Sequence, residues 1–156
     1  MPQRTFVRLL FNLEWSTILR PPGTKPNSFV RDKIMISMYG LKNCDICRVA
    51  LKWLVAEGLG HRFYDVRKDG VGDSDMRAWV AALGWESLLN RRGTTWRGLS
   101  DSDKEDVDEA KAIELMMAHP ALIKRPIFSV NGTFLVGFKD DQKASLIAGQ
   151  RGRGQL

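Results

Sequence analysis

The feature that most constrains this chain is a strand, a helix and a second strand in immediate succession. Ile34-Met35-Ile36-Ser37-Met38-Tyr39 is a short apolar run stopped by Gly40, the pattern of a buried strand. Over residues 45–57 the side chains Ile46, Val49, Ala50, Trp53 and Leu54 recur at helical spacing, and Gly58 ends them. His61-Arg62-Phe63-Tyr64-Asp65-Val66 then reads as another strand. Two strands joined through a helix are parallel, and the crossover is right-handed. The rest of the domain must be added to that unit.

Beyond residue 66 the chain is helical before it is extended again. Asp73 or Ser74 caps a helix that ends at Gly84, with Met76, Trp79, Val80 and Leu83 on one stripe. A helical turn is expected over 85–90 and a loop over 91–97. Asp101-Ser102-Asp103-Lys104-Glu105-Asp106 lacks the Gly-x5-Glu geometry of a calcium loop and reads as a solvated helix start. Residues 108–118 form an amphipathic helix on Ala112, Ile113, Leu115 and Met116, stopped by His119-Pro120. Segments 126–130 and 133–138 make a hairpin around Asn131-Gly132, and a last helix is expected over 140–148. The order β-α-β, helices, β-β-α is α/β and thioredoxin-like, with an inserted helical region. The domain is expected over 34–149, between an N-terminal extension (1–33) expected to be poorly ordered and a basic tail (150–156).

Charge and composition exclude several classes. The net charge is +6, but Arg4, Arg8, Arg20, Lys25, Arg31 and Lys33 against Glu14 and Asp32 place +4 of it in the extension. The +2 left for the remaining 123 residues is no basic face for nucleic acid. The extension is Arg-rich and carries Pro21-Pro22-Gly23, so an organelle transit peptide competes with the preferred reading, in which Met35 is the natural start. No run of 18 apolar residues occurs, so no membrane-spanning helix is expected. At 44% hydrophobic residues the domain can fill a core without disulfide staples.

Chemistry concentrates at Cys44-Asp45-Ile46-Cys47, the only two cysteines, placed where a strand ends and a helix begins. Unpaired backbone N–H groups and the helix dipole stabilise an anion there, which makes Cys44 a thiolate and a nucleophile. Cys47, one turn on, is either the thiol that resolves a mixed disulfide or a packing residue on the helix face toward the sheet. Zinc is not expected: Cys44, Cys47 and His61 lack a fourth ligand at finger spacing. A second signal is Lys124-Arg125-Pro126 at the entrance of the hairpin. Proline is tolerated at a strand's first residue and can be cis, and Arg125 offers a rigid fork for a carboxylate or tetrahedral oxyanion. Trp96, among Arg91, Arg92 and Arg97, reads first as packing.

Three ordered motifs resemble the arsenate reductase/Spx (ArsC-like) family. They are Tyr39-Gly40-Leu41-Lys42-Asn43-Cys44, Leu88-Leu89-Asn90-Arg91-Arg92-Gly93-Thr94-Thr95-Trp96, and His119-Pro120-Ala121-Leu122-Ile123-Lys124-Arg125-Pro126. The likeness runs from about Met35 to Gly149 and is greatest to the arsenate-reductase-related branch, rather than to the arsenate-detoxifying members. It implies Cys44 as nucleophile, Arg125 as oxyanion or substrate ligand, and a cis Pro126. Asn43, Arg91 and Arg92 would join them in binding substrate. It also implies glutathione and glutaredoxin as reductants, with no tightly bound cofactor. Two departures stand out. An arginine of the reductases' hairpin is absent from Leu135-Val136-Gly137-Phe138, and their first loop arginine aligns with Asn90. Such reductases typically lack a cysteine at the position of Cys47, whereas Spx-type regulators carry the pair.

Three functions therefore compete. The first is a cytoplasmic, monomeric thiol-dependent oxidoreductase acting on a small oxyanion or a disulfide. The second is a non-enzymatic redox-sensing regulator that binds a protein partner. The third is a fold whose catalysis has decayed.

Overall fold

A computed structural model describes residues 35–151, so the N-terminal extension and the tail from 152 onward lie outside the described residues. Strand β1 (Ile36–Gly40) is central and alternates buried with half-buried positions. It pairs in parallel with β2 (His61–Asp65), Ile36 opposite His61 and Gly40 opposite Asp65. Helix α1 (Asp45–Ala56) makes the crossover. On its other edge β1 runs antiparallel to β3 (Ile127–Val130), which pairs antiparallel with β4 (Thr133–Val136). The four-stranded sheet has the order β2-β1-β3-β4. The β3–β4 turn holds Asn131 at φ 50° and Gly132 at φ 76°, the left-handed pair that a two-residue hairpin needs. Gly137, at φ 89°, stops β4 earlier than the expected 138.

Between β2 and β3 lie α2 (Asp73–Leu83), α3 (Trp85–Leu88), α4 (Thr94–Arg97), α5 (Asp101–Lys104), α6 (Glu109–Ala118) and a 3₁₀ turn (Pro120–Leu122). Helix α7 (Asp140–Arg151) closes the domain three residues beyond the expected end. The segment expected as a loop over 91–97 ends in a single helical turn, α4, whose Trp96 packs against the insertion core. Helix α5 is a separate turn, not the start of α6. The Ser100 hydroxyl accepts from the Asp103 N–H at 3.2 Å, and Asp106, at φ 46°, leaves helical geometry.

Strand alternation sends side chains into two cores. Ile36, Met38, Phe128 and Val130 pack with Ala50 and Leu54 of α1 and Leu146 of α7. On the opposite face Ile127 meets Met76, Trp79, Leu88, Met116, Leu122 and Ile123 of the insertion. Tyr39 joins that side, stacked on Tyr64 at 5.0 Å and edge-on to Trp79 at 4.9 Å. Gly40 is required by a close approach, because a Cβ there would lie 2.6 Å from Cys47 Sγ. Both β1 and the buried side of α1, through Cys47, Ala50 and Leu54, are fixed by packing. Gly40→Ala is therefore expected to cost about 1–3 kcal/mol in urea denaturation, and Cys47→Ala in the same chain to recover most of it.

Candidate active site

Cys44 is the N-cap of α1, with extended dihedrals (φ −96°, ψ 122°). Its N–H donates to the Leu41 carbonyl at 3.1 Å, and its carbonyl accepts from Arg48 N–H at 3.0 Å. The half-buried sulfur therefore sits at the positive end of the helix. Burial works against a thiolate there. The backbone N–H and thiol of Cys47 and the Arg125 guanidinium outweigh it, drawing the Cys44 pKa below the ordinary thiol value. Cys47 is driven the other way. It is fully buried among Ile36, Met38, Ala50 and Leu54, and that burial, with the neighbouring Cys44, pushes its pKa up to about 12.

Arg125 comes from the segment that enters β3, and the Arg125–Pro126 peptide is cis. Its Nη1 donates to the carbonyls of Ala121 at 2.7 Å and Ile123 at 3.1 Å, which pins the guanidinium against its own turn. Nε is buried and has no partner among the described residues. A buried donor without an acceptor is uncommon in folded proteins.

These groups share an open cleft of about 510 Å³ lined by Cys44, Ile46, Ser87, Asn90, Lys124, Arg125, Val136 and Gly137. A short antiparallel contact assembles its far wall. Leu89 bridges Ile123, Asn90 N–H donates to the Leu122 carbonyl, and Lys124 N–H donates to the Leu88 carbonyl, each bond 2.7 Å. That pairing carries Ser87 and Asn90 beside Arg125. Lys124 Nζ donates to the Glu86 carbonyl at 3.1 Å. Neither Lys124 nor Arg125 forms an ion pair with a carboxylate among the described residues.

Of the residues expected in the site, Cys44 and Arg125 line the cleft, with Cys47 buried behind the first and Pro126 following the second. Asn43 is exposed on the loop before α1 and does not line it. Arg91 is also elsewhere: its guanidinium lies over the Trp85 ring at 5.5 Å and the Trp96 ring at 5.4 Å. Arg92 is exposed, and its backbone N–H donates to Asn90 Oδ1 at 3.1 Å. The loop cations thus stay outside, and Asn90, which has no guanidinium, lines the wall. Ser87, Lys124, Val136 and Gly137 were not expected in the site. Lys124 carried a signal through its place beside Arg125, and Val136 and Gly137 through the hairpin position where the resemblance calls for an arginine.

The loop that presents Cys44 is tied to the end of β2. Asp65, the one buried charged side chain among the described residues, accepts the Lys42 N–H on Oδ2 at 3.1 Å. Its Oδ1 accepts the N–H groups of Arg67 at 3.0 Å and Lys68 at 3.2 Å. Burial raises the Asp65 pKa, but these donors and the Lys42 charge outweigh it and hold the carboxyl below its ordinary value.

A β-α-β unit followed by β-β-α, with a cysteine at the first helix and a cis proline opposite, defines a thioredoxin-like fold. Residues 39–146 match the ArsC family, and the chain belongs to it. A solved structure titled YFFB protein is 44% identical, with a TM-score of 0.69, covering 72% of this chain and 99% of that one. An arsenate reductase (ArsC) related protein from Brucella melitensis is 36% identical at a TM-score of 0.60, covering 79% and 97%. The global transcriptional regulator Spx of Streptococcus pyogenes is 23% identical over 69% of this chain and 81% of its own. No helix among the described residues is long and apolar enough to cross a membrane.

Proposed function

We propose that the chain is a thiol-dependent oxidoreductase in which Cys44 attacks a disulfide and glutathione, directly or through glutaredoxin, regenerates it. The observation that carries this reading is that half-buried Cys44 and Arg125, whose guanidinium helps draw the Cys44 pKa down, line one open cleft. The Cys44 thiolate bonds to one sulfur of the substrate and the second leaves as a thiolate, with positive charge from Arg125 and the helix N-terminus stabilising both anions. With a glutathione mixed disulfide as substrate, Cys44 takes the glutathione sulfur, and a second glutathione thiolate then attacks that sulfur, releasing the Cys44 thiolate and glutathione disulfide.

A disulfide suits the cleft better than arsenate. Where the resemblance calls for a hairpin arginine, the wall is Val136 and Gly137, without charge. Ile46 adds apolar surface to the same cleft.

The test follows NADPH consumption coupled through glutathione and glutaredoxin, with arsenate and a glutathione mixed disulfide as alternative substrates. Turnover on the disulfide, and little on arsenate, is expected. Turnover on arsenate alone would make the protein an arsenate reductase. Silence on both would favour the redox-regulator reading, which the adjacency of Cys44 and Cys47 supports; partner binding that changes with reductant would then establish it.

Cys47 is a donor to Cys44 in this scheme, not the resolving thiol. With its pKa pushed up to about 12, its thiol is held protonated at neutral pH. Burial, the largest cause, persists when Cys44 is in a mixed disulfide. Cys47→Ala is expected to keep glutathione-supported turnover within about threefold while raising the Cys44 pKa, read from the pH profile of iodoacetamide alkylation. Loss of turnover would return the resolving role to Cys47.

A further inference from the structure

Asp65 stands outside the cleft, yet it holds the loop from which Cys44 projects. We infer that Asp65 is a positioning residue for Cys44, setting the sulfur at the α1 N-terminus through the Lys42 backbone N–H. The inference rests on Cys44 being the working thiolate.

The geometry divides the carboxylate between two jobs. Oδ1 serves the turn after β2 through Arg67 and Lys68, while Oδ2 reaches across to Lys42 in the β1–α1 loop. The turn has further bonds of its own. Asp65 N–H donates to Asp69 Oδ2 at 2.8 Å, and Asp69 N–H donates to the Asp65 carbonyl at 2.7 Å. The strand end is also secured without the side chain, by Val66 N–H to the Gly40 carbonyl at 2.9 Å. The Lys42 bond is therefore the carboxylate's specific contribution to the cysteine loop. It joins a short turn already closed by Cys44 N–H to the Leu41 carbonyl, and Leu41 is itself buried. A buried carboxylate is costly unless its oxygens are satisfied. Here three backbone donors satisfy it, and one of them lies two residues from the nucleophile.

Asp65→Asn separates the two jobs. With its amide oxygen toward Arg67 and Lys68, asparagine turns an NH₂ group toward the Lys42 N–H, donor against donor. The turn keeps its acceptor and the cysteine loop loses one. The charges around Asp65 make the sign informative. Lys42, Arg67 and Lys68 contribute positive charge, and Asp69 and Asp65 negative. Through charge alone, neutralising Asp65 would favour the Cys44 thiolate and lower its pKa. Loss of positioning moves the sulfur off the helix terminus and raises it.

The experiment measures iodoacetamide alkylation of Cys44 against pH in the full chain carrying Cys47→Ala, so that one thiol reports. Asp65→Asn is expected to raise the apparent pKa by about one unit, slowing alkylation about tenfold below the titration. Asp69→Ala, which cuts only the turn's own bond, is expected to leave the profile unchanged. A profile that is unmoved or shifted downward in Asp65→Asn would overturn the inference, as would an equal upward shift in Asp69→Ala. An ordinary Cys44 pKa in the parent protein would instead remove the reading on which the inference rests. If Asp65→Asn fails to fold, the native protein decides. Protonation of Asp65 in acid is expected to shift the Lys42 and Cys44 amide resonances together, and a Cys44 amide indifferent to that titration would overturn it.

Discussion

Cys44→Ser protein is expected to fold normally and to turn over no disulfide. The substitution removes one property only. Serine can occupy the N-cap as well as cysteine, since a hydroxyl is among the preferred groups there. The side chain is only half buried, so little packing is lost. A serine hydroxyl at the same helix terminus remains protonated, however, and cannot form the mixed disulfide through which the proposed reaction passes. No partial pathway is left, because the intermediate is a covalent bond to this sulfur. In the coupled assay the variant should match the rate without protein, and mass spectrometry should find no mixed disulfide after exposure to glutathione disulfide. Unfolding midpoints should agree between variant and parent. Retained turnover in the variant would transfer the chemistry to Cys47, the other cysteine, and overturn the assignment of Cys44.

The parts of the fold that are legible in the sequence are those set by local periodicity. The β1-α1-β2 unit follows from one apolar run, one helical stripe and one further run, and the hairpin from Asn131-Gly132, whose left-handed dihedrals the structure shows. Helix α4 and the separation of α5 from α6 are not legible. Each is a single turn, too short for a hydrophobic period, and α4 is held by the packing of Trp96 on the insertion core. The site divides in the same way. Cys44 announces itself by its place between strand and helix. Asn90 and Ser87 reach the cleft through a ladder that pairs residues 88–90 with 122–124, distant in sequence. Arg91 shows the converse. Its charge suggests an anion site, but side-chain direction sets it over two indole rings, where cation–π attraction replaces a ligand. Asp65 reads in sequence as one residue of a strand, since nothing local shows that its carboxylate collects N–H groups from two loops.

Arg125→Ala should bring the largest loss after removal of the nucleophile. Arg125 acts on the resting thiolate and on the charge that develops in transfer. It is among the groups that draw the Cys44 pKa down, so its removal should move the alkylation profile upward. Arg125 also lines the cleft where a thiolate leaves, and a fixed donor at such a point is worth roughly 10²–10³ in turnover. Together these predict a fall in kcat/KM of about that size on a glutathione mixed disulfide at pH 7. Arg125→Lys distinguishes the two actions. An ammonium keeps the positive charge, so the Cys44 pKa should return most of the way. It lacks the planar, multi-donor fork that the Ala121 and Ile123 carbonyls hold in place through Nη1. Turnover in the lysine variant should therefore stay well below the parent even at a pH where Cys44 is fully ionised. If lysine restored both quantities, charge alone would account for Arg125. If alanine altered neither, the buried Nε would have a structural role and the developing charge would have to be met by the α1 N-terminus and Lys124.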